Sequence, residues 1–158
     1  MDLSVRPATV DDLDELAELD ALLRREFEKL RGGAVYLLRD HRPEPVRESY
    51  ARALDDPATR LVVARVGPVA AGFGAATLQE LHGGYVLADI TEIFVLPELR
   101  EVGVGAAIMS DLLHWARAAG ADGIDSRTMP GDRETKNFFE SNGLVARAIL
   151  VHRDLREP

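Results

Sequence analysis

The chain has 158 residues, 46% of them apolar, and no cysteine. That suits a single domain over 1–158 with a sizeable core, and it excludes disulfides, thiolate metal sites and a cysteine nucleophile. The formal net charge of −8 argues against nucleic acid as a partner, because such binding needs clustered Lys and Arg to displace counterions, and it mildly favours a cationic or amine substrate. The opening Met1-Asp2-Leu3-Ser4-Val5-Arg6 lacks the charged-then-apolar order of a signal peptide, and no apolar run is long enough to cross a bilayer. The expectation is a cytoplasmic protein that binds neither membrane nor nucleic acid.

Leu3 to Arg6 reads as a short strand stopped by Pro7. Thr9 with Asp12 three residues on resembles a capping box, and Asp11, Asp12, Asp14 and Glu15 suit the positive end of a helix dipole. Leu13, Leu16, Leu23, Phe27 and Leu30 then recur on one helical face until Gly32-Gly33. Residues 34–44 show no clear period and read as a loop holding Tyr36, Arg39 and His41. A helix is expected from Pro45 to Leu54. Strands follow at Leu61 to Val66, Val69 to Leu81 and Tyr85 to Val95, separated by Gly67-Pro68 and His82-Gly83-Gly84.

After Pro97 comes a loop with glycines, then a helix whose Val104, Ile108, Leu112, Trp115 and Ala119 share a face up to Gly120. Gly123 to Met129 reads as a strand, Arg133 to Asn142 as a short helix, and Leu144 to Leu155 as a last strand. Hairpin-spaced strands come first and crossover helices later, which implies a mixed sheet, antiparallel early and parallel near the glycine loop.

The loop Arg100-Glu101-Val102-Gly103-Val104-Gly105 opens that helix. Glycines allow the backbone close to an anion, the first-turn N–H groups point at it, and Arg100 adds a full charge. Diphosphate is the natural ligand. A Walker A loop is excluded because Ala106-Ala107 follow Gly105. A dinucleotide fingerprint lacks its third glycine, Ile108 standing there, although Asp125 lies at about the right distance for a ribose contact. A glycine-containing helix entry without any ligand also remains open at this point.

The wider pattern narrows the choice. Ile93-Phe94-Val95-Leu96-Pro97-Glu98-Leu99-Arg100 with the loop to Gly105 resembles the central motif of the GCN5-related N-acetyltransferases (GNAT). Asn137-Phe138-Phe139-Glu140-Ser141-Asn142-Gly143-Leu144 resembles that family's Phe-Tyr-Glu-x-x-Gly-Phe signature, and Val5-Arg6-Pro7-Ala8-Thr9 with Asp11-Asp12 its usual opening. The resemblance implies the α/β GNAT fold: a mixed, mostly antiparallel sheet of about six or seven strands flanked by about four helices. It implies acetyl-CoA as acyl donor, no metal, and a small-molecule or peptide amine as acceptor. Dimers are common in the family, which makes a homodimer the oligomer to test.

Carried onto this sequence, the resemblance implies that the main chain of Ile93, Phe94 and Val95 pairs with the pantetheine arm. Arg100, Glu101, Val102, Gly103, Val104, Gly105 and Ala106 would form the diphosphate loop, with Asp132 and Phe138 beside the cofactor. Glu101 replaces the loop's first glycine, Asp132 stands where many members carry Asn, and Phe139 replaces the Tyr often used as general acid. Glu26, Tyr36 and Arg39 fall where the family shapes its acceptor site. A backbone N–H near Val95 is the candidate to polarise the thioester oxygen.

An alkylammonium with a pKa near ~10.4 must lose a proton before it can attack. Glu92, a carboxylate in the middle of a strand, is the candidate base and Asp89 the second. On a regular strand two residues three apart point to opposite faces. The thiolate of CoA leaves without much help from an acid, so Phe139 does not preclude turnover. A degenerate member that binds acyl-CoA as a sensor without turnover is the alternative. His82 and His114 read as surface residues, His41 as a pocket residue at most, and Trp115 as core; four scattered histidines lack metal-site spacing.

Overall fold

The computed structural model of the chain describes residues 1–156 and 158. One five-stranded sheet runs in the order β1 (Leu3–Pro7), β2 (Thr59–Val66), β3 (Val69–Glu80), β4 (Val86–Val95) and β5 (Gly123–Asp125). The first four strands are antiparallel neighbours, and β5 is parallel to β4. The helices are α1 (Leu13–Glu28), α2 (Gly33–Arg39), α3 (Val46–Leu54), α4 (Val104–Ala118) and α5 (Arg133–Ser141).

The sheet separates two cores. On one face Leu13, Leu16, Leu19 and Leu23 of α1 and Tyr50 of α3 pack on Phe73 and Phe94. On the other, Val104, Ile108, Met109 and Leu112 of α4 and Phe139 of α5 pack on Val62, Ala64 and Ile90. Each such fully buried large side chain contributes about 1.5–3 kcal/mol, so both helix layers are fixed firmly against the strands that carry the site.

Several expectations are corrected. The sheet has five strands rather than six or seven, and five α-helices rather than four flank it. Residues 34–44 are not all loop: α2 forms there, held by tertiary contacts that leave no period in so short a segment. Tyr36 stacks on Phe27 with ring centroids 4.3 Å apart, and its hydroxyl donates to the Thr91 carbonyl at 3.3 Å. The strand expected to Met129 ends at Asp125, where the chain leaves β4. Among the described residues, Leu144 to Leu155 pairs with no strand.

The alternation of β4 is also broken. Ala75 pairs with Glu92 but Ala76 with Ile90, which leaves Thr91 as an extra residue in a β-bulge. Ile90 therefore packs with α4 while Phe94 packs with α1, although the two are an even number of residues apart. Asp89 and Glu92, expected on opposite faces, fall on the same one.

Candidate active site

β4 and β5 pair only from Leu87 to Asp89 and from Gly123 to Asp125. Beyond that point they separate, and a cleft of about 650 Å³ opens between β4, the start of α4 and α5. Leu96 donates its N–H to the Ala71 carbonyl on β3 at 2.9 Å. Main-chain groups alternate in direction along an antiparallel strand, so those of Val95 face the opposite, open edge. The Val95 carbonyl accepts from Arg100 Nε at 2.9 Å, while its N–H is left for the cleft, which Ile93, Phe94 and Val95 all line.

One end of the cleft is the loop before α4. Gly103 caps the helix with φ +95° and no side-chain hydrogen bond. Ala107 is the first residue whose N–H returns to the Gly103 carbonyl, at 3.0 Å. Among the described residues, the N–H groups of Val104, Gly105 and Ala106 have no main-chain acceptor. Three unmet donors at the positive end of a 15-residue helix are placed so that they could receive an anion. A Cβ added at Gly103 would meet no atom within 4 Å, whereas one at Gly105 would lie 3.0 Å from the Phe138 ring. Phe138 is thus the wall of the loop.

Arg100, Glu101, Gly103, Gly105, Ala106, Asp132 and Phe138 line the cleft, but Val102 and Val104 do not. Val104 is fully buried in the core, so only its main chain is turned to the loop's open end. Asp132 caps α5, accepting from the Thr135 N–H at 3.2 Å. Arg100 donates to Glu26 Oε1 at 2.8 Å, which ties the loop to α1 across the cleft.

At the other end stands Glu92, 4% exposed. Its Oε1 receives Arg42 Nη2 at 2.7 Å, Arg42 Nε at 3.0 Å and Thr91 Oγ1 at 2.9 Å. Its Oε2 has no donor among the described residues, and the side chain lines the cleft. Tyr36 lines it too; burial, followed by the charge of Glu92, pushes its phenol well above the usual range. Asp89 differs: both of its oxygens accept from Arg127, at 3.1 and 3.0 Å, and it does not line the cleft.

Of the acceptor-site candidates, Glu26 and Tyr36 line the cleft and Arg39 does not. Arg39 points to solvent, paired with Asp40 at 3.0 Å. His41 does not line the cleft either; it is buried and its Nε2 lies 3.0 Å from Asp20 Oδ2. Arg42, Ser126 and Arg127 escaped sequence reasoning. Arg42 and Arg127 are charged residues outside regular elements, and only the folded partners, Glu92 and Asp89, single them out. Among the described residues no group of three His, Asp or Glu side chains is placed to hold a metal ion, and no helix is long and apolar enough to cross a membrane.

The model of the Acetyltransferase (GNAT) family matches residues 16–144. The chain belongs to this family. Solved GNAT-fold structures cover it almost end to end. The aminoglycoside acetyltransferase meta-AAC0020 from an uncultured soil metagenomic sample, in complex with trehalose, is 18% identical over 97% of this chain and 95% of its own, with a TM-score of 0.73. AAC(6')-Iy in complex with a bisubstrate analogue, CoA-S-monomethyl-acetylneamine, is 18% identical over 96% of this chain and 97% of its own, also at 0.73. A mutant BH1408 protein from Bacillus halodurans reaches 0.83 at 19% identity, over 96% and 99%. At these identities the likeness is one of fold. No curated protein sequence matches the chain significantly.

Proposed function

We propose that this GNAT chain, as one domain over 1–158, moves an acyl group, acetyl in the simplest case, from CoA to the primary amine of a small molecule. The observation that carries the reading is the continuity of one cleft from three unmet N–H donors to the open oxygen of a buried carboxylate. The residues fit the donor. The first-turn N–H groups of Val104, Gly105 and Ala106 would hold the diphosphate, and Arg100 would turn from Glu26 toward it. The open edge of β4 would take the amide-bearing arm as an added strand. Bound acetyl-CoA would supply the thioester to be cleaved. The Val95 N–H, with no strand beside it, is the donor aimed where negative charge develops on the carbonyl oxygen.

Glu92 Oε2 would take the proton of the incoming ammonium, directly or through one water, while Arg42 and Thr91 hold Oε1 still. Asp89 is set aside as base by its fork with Arg127. Cytoplasmic location and an acceptor of cationic character belong to the same proposal. Glu26, Glu92, Glu101, Asp132 and Glu134 line the cleft with Arg100 and Arg127, so acidic side chains outnumber basic ones there. Two of the fold relatives are named as aminoglycoside acetyltransferases, which makes multiply charged amines the first panel to try.

A second reading, an acyl-CoA-binding domain without turnover, is favoured by the three donors on Glu92 Oε1. Thiol release from acetyl-CoA with an amine panel separates the two. Glu92→Gln is expected to lower kcat by about 10²-fold or more while leaving acetyl-CoA affinity unchanged. Binding without release on any amine would leave the second reading standing.

A further inference from the structure

A second cavity, of about 360 Å³, opens between α3 and the strands β2, β3 and β4, and it shares only Thr91 with the cleft. Its lining is polar where a gap between a helix and a sheet is ordinarily filled by apolar side chains. Two guanidinium groups, Arg42 and Arg52, face it with the hydroxyls of Ser49, Thr59, Thr77 and Thr91. Valine would suit the strand positions as well as threonine does, so the sheet does not itself require these hydroxyls.

The cavity's carboxylate is already satisfied. Asp56 Oδ1 accepts the Ala58 N–H at 2.9 Å, and Oδ2 accepts the Thr59 hydroxyl at 3.0 Å. The donors are not. Arg52, in the last turn of α3, makes no ion pair and no side-chain hydrogen bond among the described residues. Ser49 Oγ accepts Arg42 Nη1 at 3.2 Å and has no acceptor for its own proton among the described residues. Thr77 Oγ1 lies 3.2 Å from Thr59 Oγ1, whose proton goes to Asp56. Arg42 spends Nε and one N–H of Nη2 on Glu92, which leaves further N–H groups on Nη1 and Nη2.

We infer that this cavity is a second binding site, for a small free oxyanion of the phosphate or carboxylate class, held between Arg52 and Arg42 with the Ser49 and Thr77 hydroxyls as further donors. A cation would meet two guanidinium groups, and an apolar ligand would strand the donors without water. An oxyanion meets both needs, with charge and with acceptor oxygens. The anion is a separate molecule rather than the far end of an amine acceptor. Arg42 lines this cavity and not the cleft, Glu92 lines the cleft and not this cavity, and the two are joined at 2.7 Å. The pair is therefore the partition between the two spaces. An anion beside Arg42 competes with Glu92 for one guanidinium, so filling the cavity loosens the hold on Oε1. That consequence rests on the reading of Glu92 as base; the binding itself does not.

Inorganic phosphate and succinate are the probes, each titrated into the isotope-labelled full chain at an ionic strength held constant with chloride. Amide and guanidinium resonances then report where the ion sits. Binding in the cavity should move Ser49, Arg52, Thr77 and Thr91 and Arg42 Nε along one saturation curve. Binding at the loop before α4 would move Val104, Gly105 and Ala106 instead, so the two places are read separately and without any turnover. Arg52→Met should weaken cavity binding about 10-fold or more and leave the loop's response unchanged. Arg52 is exposed, so its replacement spares the fold, and Thr77→Val, which keeps the side chain's shape, should weaken binding by less. Shifts confined to the loop, no saturable shift with either probe, or cavity binding indifferent to Arg52→Met would each overturn the proposal.

Discussion

Two residues govern how the anion loop is made. Glu101 stands where the family pattern has its first glycine, and it adopts φ +68°, the one positive φ of a non-glycine residue among those described. The loop keeps its left-handed turn in spite of the side chain. Such a conformation costs an L-residue about 1–2 kcal/mol, partly offset by the freedom a glycine would gain in the unfolded chain. Glu101→Gly is therefore expected to raise stability by about 0.5–1 kcal/mol. It also removes a carboxylate from a cleft proposed to take a diphosphate, so acetyl-CoA affinity should rise with it. Thermal unfolding and calorimetric titration of the one variant check both. Arg100 is the second residue: with Glu26 on its guanidinium, it is not a free cation waiting in the loop, and proposed diphosphate binding exchanges one anionic partner for another.

At the scale of elements, the bulge in β4 and the corner between β1 and α1 show two ways in which a short stretch sets the site. The extra residue, Thr91, turns Glu92 onto the face of the sheet covered by α1, α2 and α3, where Arg42 and Tyr36 meet it. The α1 layer is in turn fixed at its start by Asp12, 2% exposed. Asp12 accepts a fork from Arg6 at 2.7 and 2.9 Å and the Thr9 N–H at 2.8 Å. The Arg6 hydrogen bonds hold the Asp12 carboxyl below its ordinary value, with burial working against them. A carboxyl lowered in the fold stabilises it above the usual carboxylate range, and that contribution is lost as pH falls through the lowered value. Asp12→Ala should cost about 1–2 kcal/mol at neutral pH. Denaturant titrations should show the gap between variant and parent closing in acid; a pH-independent gap would remove the electrostatic explanation.

Across the whole molecule, the helices on the α1 face are tied to each other as well as to the sheet. Asp20 of α1 is fully buried. It accepts Tyr50 Oη of α3 at 2.6 Å and lies 3.0 Å from His41 Nε2, just past α2. His41 Nδ1 is buried without a partner, so the network is incomplete, and its strongest link is the short phenol–carboxylate bond. Tyr50→Phe keeps the T-shaped contact with Phe73, at 5.7 Å between centroids, and removes that link alone. A loss of about 1–2 kcal/mol is expected, measurable as a lowered denaturation midpoint with an unchanged m-value. Because Arg42 follows His41 directly, the same change should loosen the clamp on Glu92 and lower kcat more than it alters acetyl-CoA affinity.

Sequence alone determined the helices and strands with strong periods, the order in which they come, the glycine loop at the head of α4, and the family. Local propensity, turn residues and spacing act over a few residues, so they are written where they operate. Four features were decided by tertiary structure. The helix α2 forms because Phe27 and Thr91 receive Tyr36. The bulge at Thr91 reverses a face that alternation assigns the other way. Arginines from irregular segments, Arg42 and Arg127, choose which carboxylate is left with a free oxygen. The 144–155 segment has the composition of a strand but finds no edge among the described residues, since pairing needs a neighbour at strand distance and no local rule supplies one. Where a contact decides, it joins residues far apart in the chain, and that is why a reading along the chain could rank Glu92 ahead of Asp89 but not see the arginines that tell them apart.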